Sequence, residues 1–225
     1  MTTLRAVLMV LLKDLRIEIR TGEIVVTTAL FALLVTVLTS LSFYLDQNTA
    51  LLVAPGILWV AIAFSGVLIM GRSWSREKEY GVIRALWMAP IPRSAIFLGK
   101  AMSALGYLAV VEIAVVFVVG VLFQLDMMSM LGSLTTLLAL GSIGFIAAGN
   151  LFAAMGVRSR TRDLILAVAV FPLIAPSLVC AVIATRELFH GAPIEEIFVW
   201  IRILIAFDVI FVTIGLWLFE PLMSD

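Results

Sequence analysis

This chain of 225 residues is 63% hydrophobic, carries 15 basic and 15 acidic residues, and has a mean hydropathy of +1.19. Soluble domains are about half apolar, so the composition excludes an ordinary water-soluble fold and indicates a membrane protein. The net charge of zero is uninformative, because in a membrane protein the position of the charges carries the signal. The single cysteine, Cys180, excludes an intrachain disulfide and a cysteine metal cluster.

Residues 1–23 precede the first long apolar run and have the pattern of an amphipathic helix. Leucines recur at helical spacing from Leu4 to Leu15, and basic residues from Arg5 to Arg20 supply the polar positions. Such a helix lies in the plane of the membrane interface, with its basic groups near anionic head groups. The alternative is a plain cytoplasmic extension of the first span. The segment lacks the features of a cleaved signal peptide, so we expect the first span to be retained.

Six apolar runs follow, and each is long enough to cross a bilayer, which takes about 20 apolar residues. In lipid every backbone polar group must be satisfied within its own segment, so these runs are predicted to be helices. We therefore predict an all-α polytopic membrane protein in which residues 1–225 form a single transmembrane domain. The predicted spans are Ile24–Tyr44, Leu51–Met70, Ala101–Phe123, Met130–Met155, Leu164–Thr185 and Trp200–Phe219.

Basic residues lie almost entirely on one side of these spans. The N-terminal segment, the connection between the second and third spans and the connection between the fourth and fifth spans together hold 13 of the 15. The positive-inside rule then places these segments and both termini in the cytoplasm. We expect a multi-pass protein of the bacterial inner membrane.

The cytoplasmic segment 71–100 is the most unusual connection. Val82, Ile83, Leu86 and Trp87 form one apolar stripe of a short helix. Pro90 and Pro92 should end that helix, because proline cannot continue an α-helix and disfavours helix in the residue before it. Two interpretations stay open: the helix docks onto another protein, or it rests on the bilayer surface.

The chain offers little enzymatic chemistry. Gly66–Ser73 matches the spacing of a phosphate-binding loop but has Arg72 in place of lysine and ends a spanning helix, where no free N–H groups exist to hold phosphate. His190 is the only histidine, so a catalytic triad or a multi-histidine metal site has no candidates. We predict a non-catalytic subunit with no nucleotide, metal or cofactor site of its own and no nucleic-acid partner.

Two carboxyl groups are predicted at membrane depth, Glu112 in the third span and Asp208 in the last. A charge at the centre of a lipid-facing helix costs about 2.5–3.5 kcal/mol on insertion scales, so both should face the bundle, a partner or water, or be protonated. They are candidate functional residues, and the alternative is a protonated carboxyl bonded to a neighbouring helix. Gly144 and Ala148 form a small-xxx-small pair that we assign to helix packing.

Several of these segments resemble one family. The six spans, the N-terminal helix and the segment from Glu79-Tyr80-Gly81 through Ala89-Pro90 to Gly99-Lys100 resemble the permease subunits of ABC-2 type transporters. More specifically, Ala54–Val60 (APGILWV), Met88–Pro92 (MAPIP) and Phe171–Pro176 (FPLIAP) resemble the haem exporter protein B family (CcmB) of cytochrome c maturation. One departure is Arg84, where many ABC-2 relatives carry a glutamate.

The resemblance implies a membrane subunit that works with a separate ATPase. In this family the short helix after the second span is a coupling helix that docks into the ATPase, which assigns the docking role to Glu79, Gly81, Ile83, Arg84, Leu86, Trp87 and Pro90. The implied partners are a CcmA-like ATPase, a CcmC-like haem-handling membrane protein, a CcmD-like small membrane protein and a second copy of the chain. ATP and haem would be bound by partners, and the implied outcome is haem export or release of a haem-loaded chaperone.

Two other functions remain compatible with the sequence. A generic ABC-2 exporter of a lipid, glycan or drug would share the same architecture. A membrane enzyme or ion-coupled carrier would instead use Glu112 and Asp208 and would not associate with an ATPase.

Overall fold

The computed structural model describes residues 2–42, 47–156 and 171–224, and these residues are almost entirely helical. Six of the helices are long and apolar enough to cross a membrane, which confirms the prediction of an all-α polytopic membrane protein. The start of the predicted fifth span, residues 164–170, lies outside the described residues. The helices are α1 (Thr3–Thr21), α2 (Glu23–Ser42), α3 (Gln47–Glu79), α4 (Val82–Met88), α5 (Arg93–Leu122), α6 (Leu131–Gly156), α7 (Phe171–Phe189) and α8 (Ile194–Ser224).

Helix α3 continues well past the predicted end of the second span at Met70 and stops only at Glu79. Its last turns carry polar residues, yet Ser73, Arg76 and Glu77 are buried there by neighbouring helices. The hydropathy pattern marks where the apolar run ends, whereas the helix itself continues because tertiary contacts satisfy its polar side chains. The segment 71–100 is therefore mostly the end of α3 and the start of α5, with α4 between them.

Two glycines set sharp turns between consecutive helices. Gly22 (φ 62°) ends α1, and its N–H donates to the Glu18 carbonyl at 2.7 Å. Gly81 (φ 67°) separates α3 from α4. Both residues occupy the left-handed region, where a residue with a Cβ atom is strained. Helix α4 ends at Met88, as the two prolines after it predict, and Pro92 directly precedes α5.

Helix α1 has two different faces. Ala6, Val7 and Val10 are buried, and this face packs against the start of α5. The leucines on the other side, including Leu4 and Leu12, remain exposed because no described part of the chain covers them. An uncovered leucine face with basic neighbours fits a helix that lies in the membrane interface.

At the centre of the bundle, large aromatic side chains pack directly against glycines. Trp59 of α3 donates its indole N–H to Thr185 Oγ1 of α7 at 2.9 Å, and its ring covers Gly141 of α6 so closely that a Cβ atom there would lie 2.2 Å from the indole. Trp59 belongs to the segment that carries the family resemblance, and its structural role is to hold α3, α6 and α7 together.

Candidate functional site

Helix α4 lies at the end of the bundle where α1 begins, between the ends of two long spans. Ile83 is 8% exposed and belongs to the main hydrophobic core, and Leu86 packs against that core. The opposite side of α4 faces outward: Met88 is 79% exposed, and Tyr80 in the preceding turn is 75% exposed. The apolar stripe predicted for this helix therefore anchors α4 to the bundle at Ile83 and Leu86.

The remaining predicted docking residues fall into two groups. Glu79, Gly81 and Pro90 are exposed around the ends of α4. Arg84 and Trp87 lie in the helix, but their side chains lie outside what the structure describes. The described exposed surface at α4 thus comprises Ala85 and Met88 in the helix and the flanking Glu79, Tyr80, Gly81 and Pro90.

Immediately inside α4, Lys100 of α5 is enclosed by carboxylates. The side chain of Lys100 is 0% exposed, and its Nζ lies 2.9 Å from Asp14 Oδ2 of α1. The same Nζ pairs with Glu77 Oε1 of α3. Its ammonium group also lies 5.6 Å from the centre of the Trp74 ring, within the range of a cation–π contact. One buried cation therefore joins α1, α3 and α5.

A second cation, the partly exposed Lys13, binds the same two carboxylates. Its Nζ lies 3.1 Å from Asp14 Oδ1 and also pairs with Glu77 Oε1. Burial alone would raise the pKa of Asp14, but the positive charges of Lys100 and Lys13 outweigh burial and hold that pKa below its ordinary value. Two cations and two anions balance one another, so we name Lys13, Asp14, Glu77 and Lys100 the ion cluster.

A second ion pair joins α1 to α3, and its carboxylate also binds the start of α2. Glu18 Oε2 of α1 accepts a hydrogen bond from Arg76 Nη1 of α3 at 3.0 Å. The other oxygen of Glu18 accepts from the backbone N–H groups of Ile24 and Val25, each at 2.8 Å. These N–H groups have no partner within α2, because they belong to its first turn. Glu18 thus caps α2 and fixes it to both α1 and α3.

Gly99 explains how α1 comes close enough to make these contacts. A Cβ atom at Gly99 would lie 2.6 Å from Val10 Cβ and 3.1 Å from the Val7 carbonyl oxygen. Only a residue without a side chain allows α1 to lie directly on α5 here. Gly99 and Lys100 end the segment that carries the family resemblance. Gly99 leaves space for α1 to pack on α5, and Lys100 binds the carboxylate of Asp14 on α1.

The two predicted carboxyl groups at membrane depth lie at different places in the bundle. Glu112 is buried and accepts a hydrogen bond from the Ser142 hydroxyl of α6. Asp208 Oδ1 accepts from the Gly144 backbone N–H at 2.7 Å, and a Cβ atom at Gly144 would lie 2.7 Å from the same oxygen. Gly144 therefore marks a close crossing of α6 and α8, as its small-xxx-small pattern predicts. Neither carboxyl belongs to the ion cluster.

Sequence reasoning missed the carboxylates of these ion pairs, namely Asp14 and Glu77 in the ion cluster and Glu18 beside it. Asp14 and Glu18 belong to a helix whose other residues are mostly basic or apolar, and their spacing of four residues puts them on one helical face. Two carboxylates on one face of a leucine-rich membrane helix need cations opposite them. That spacing, together with Lys100 at the entry to a span, is the signal that could have predicted a buried pairing.

Comparison with known proteins matches nearly the whole chain. A family model described as CcmB protein matches residues 5–220. Heme exporter protein B of Paracoccus denitrificans (strain Pd 1222) is 30% identical over 184 residues, which is 81% of this chain and 83% of that protein. The matches to heme exporter protein B of Escherichia coli (strain K12) and of Shigella flexneri are shorter. Each is 30% identical over 90 residues, or 40% of this chain, and spans only 41% of the relative's length.

Proposed function

The chain belongs to the CcmB family, the permease component of cytochrome c maturation ABC transporters, and we propose that it couples ATP hydrolysis to events in the membrane. The ATP is hydrolysed by a separate, CcmA-like subunit. The proposed outcome is export of haem, as a substrate, or release of a haem-loaded chaperone. The chain is a multi-pass membrane protein, and in this proposal it lies in the bacterial inner membrane with both termini in the cytoplasm.

The observation that supports this function most strongly is the position of α4. It is attached to the bundle by Ile83 and Leu86 and presents Tyr80 and Met88 outward. It also directly connects α3 with α5, the two spans that meet in the ion cluster. A force applied to α4 therefore reaches both spans and, through Asp14 and Glu18, the helices α1 and α2.

The proposed mechanism is a movement of helices as nearly rigid bodies. Nucleotide binding can shift the membrane subunit only if the nucleotide-bound ATPase favours one of its conformations over the other. We propose that the ATPase contacts the exposed Met88 and the flanking Glu79, Gly81 and Pro90, together with Arg84 and Trp87, while Ile83 and Leu86 transmit the movement. The other partners are a CcmC-like and a CcmD-like membrane subunit and a second copy of the chain.

A substitution on the exposed side of α4 tests the docking surface. Met88→Asp should reduce co-purification of the ATPase at least about tenfold, because a desolvated, unpaired carboxylate at an apolar contact costs more than 1.4 kcal/mol. Its thermal unfolding midpoint in detergent should stay unchanged, since Met88 is exposed. Ile83→Asp is unsuitable, because a carboxylate at this buried position disrupts packing.

Thr3→Asp is the matched control for Met88→Asp. Thr3 is exposed at the start of α1, where a negative charge is favourable to the helix, and it lies on another element at the same end of the bundle. This variant should bind the ATPase normally. Full ATPase recovery with Met88→Asp, together with normal cytochrome c assembly, would contradict docking through α4.

A further inference from the structure

A groove between α5 and α6 has no role in the coupling proposal. It has a volume of about 900 Å³ and runs from Leu105 to the connection between the two helices. Most of its lining is apolar, with Val116, Phe117, Leu134 and Leu138 among the lining residues. On its α5 side, Ile113 is 72% and Phe117 is 70% exposed, so the groove opens sideways toward the surrounding membrane.

Glu112 lies in the wall of this groove, deep in the bilayer. It lies ten positions before the end of α5 at Leu122, which places it about 15 Å from the outer end of the helix. That distance is half of a hydrocarbon core of about 30 Å. Ser142 donates one hydrogen bond to the carboxyl, which can accept about four, so acceptor capacity remains for an occupant of the groove.

The described lining of the groove has two acidic side chains and no basic one. Glu112 lies in its wall and Asp126 at its outer end, and none of the described residues that line it is lysine, arginine or histidine. A carboxyl at this depth is costly unless it pairs, and intramembrane carboxyls usually pair with one another or with basic groups. A basic side chain carried by an occupant of the groove would pair with Glu112, and the described lining supplies none.

The two simplest occupants do not supply such a group. A lipid acyl chain would fill the apolar walls but bring no basic group to Glu112. A second copy of the chain offers no basic residue at the right depth, because in the predicted spans the only one is Arg202, near the outer end of the last span. In the structure Arg202 instead lies over the ring of Phe198, at 4.7 Å.

We propose that the groove between α5 and α6 binds a transmembrane helix of a different subunit, which sets a basic side chain against Glu112. This inference rests on the proposed function in one respect, namely that the chain works in a complex with other membrane proteins. It adds the surface at which one of them binds and the chemical group that it must carry.

Photocrosslinking in native membranes tests this proposal. The probe is p-benzoylphenylalanine at Phe117, introduced into the full chain and expressed together with the other subunits of its complex. The matched control places the same probe at Val110, which is exposed on α5 but does not line the groove. We expect the Phe117 probe to form a crosslink to a transmembrane segment of another subunit, within about two helical turns of a lysine, arginine or histidine. The Val110 probe should not form this crosslink.

Glu112→Leu should lower the yield of that crosslink about three- to tenfold, the range expected for one polar contact between membrane helices. Replacing the identified basic residue of the partner by leucine should lower it equally, which keeps the test valid if Glu112→Leu folds poorly. Crosslinks only to lipid or to a second copy would overturn the proposal, and so would a yield that neither substitution changes. ATPase co-purification should stay normal in Glu112→Leu, so failure here is distinguishable from failure of docking through α4.

Discussion

At the scale of single residues, the ion cluster is the feature with the largest energetic consequence. Lys100 and Asp14 both have fully buried side chains, and each is stable as a charge because opposite charges of the cluster surround it. The cluster is electrically balanced as a whole, so its net contribution to stability is smaller than the cost of breaking it. Its more important effect is to specify how α1, α3 and α5 meet.

Removing one charge of the cluster should therefore be strongly destabilising. Asp14→Asn leaves Lys100 and Lys13 to share Glu77 alone, and breaking a buried pair costs about 3–5 kcal/mol. We expect a clearly lower thermal unfolding midpoint in detergent. The double variant Asp14→Leu with Lys100→Leu should recover most of the loss, because Lys13 and Glu77 still form a neutral pair.

The exposed pair Arg186–Glu187 provides the control for this experiment. Its side chains are 46% and 30% exposed, and pairs at the surface contribute about 0–1 kcal/mol. Glu187→Gln should barely change the midpoint. A midpoint for Asp14→Asn equal to that of the Glu187→Gln control would show that the cluster does not hold α1 in place.

The stability difference between the natural chain and Asp14→Asn should depend on pH in one direction. The pKa of Asp14 is depressed in the folded state, so its contribution is fully present above its ordinary value of 3.8 and is lost as the pH falls through the lower folded value. Unfolding midpoints of both chains between pH 7 and pH 3 should show a constant gap above about pH 5 that narrows only below about pH 4. A gap that instead widens on acidification would contradict the pairing of Asp14 with the two lysines.

At the scale of elements, the close contact between α1 and α5 is what brings Asp14 to Lys100. This contact depends on Gly99, where Val10 and the Val7 carbonyl oxygen occupy the space that a side chain would need. The neighbouring backbone must move if that space is filled, since a carbonyl oxygen cannot rotate away.

Gly99→Ala should therefore loosen α1 at a cost of about 1–3 kcal/mol, the usual penalty for overpacking. A cysteine placed at the buried Ala6, in a chain with Cys180 replaced, should react faster with a thiol reagent when Gly99→Ala is present. Gly106→Ala is the matched control on the same helix, because a Cβ atom there meets only Leu15, at an ordinary 3.8 Å. Equal labelling rates in the two variants would argue against close packing at Gly99.

The sequence predicts the elements better than it predicts their contacts. Hydropathy identifies the spans, and Gly81 with Pro90 brackets α4, because these are properties of local chain segments. Whether Ile83 faces the bundle or a partner depends on how a short helix is oriented by its neighbours, which no local pattern records. The burial of Asp14 is not recorded in a local pattern either. It depends on Lys100, which lies 86 residues away in the sequence, as well as on the adjacent Lys13.

At the scale of the whole molecule, the two ends of the bundle differ in character. One end holds α1, α4 and the ion cluster. There the ion cluster joins α1, α3 and α5, and Glu18 joins α2 to α1 and α3. The other end holds the connections between α5 and α6 and between α7 and α8, and the groove extends to the first of these connections. The similarity to heme exporter protein B along most of the chain favours a role in cytochrome c maturation over that of a generic exporter. Deletion of a generic exporter would leave c-type cytochromes intact.

Coupling to an ATPase requires α4 to face the compartment where ATP is available, and cysteine accessibility tests this most directly. In a chain with Cys180 replaced, Met88→Cys should react with a membrane-impermeant maleimide in inside-out vesicles but not in intact spheroplasts. Met128→Cys, exposed in the connection after α5, should show the opposite pattern and serves as the control. Labelling of Met88→Cys from the outer side alone would contradict the account, because α4 could then never contact an ATPase.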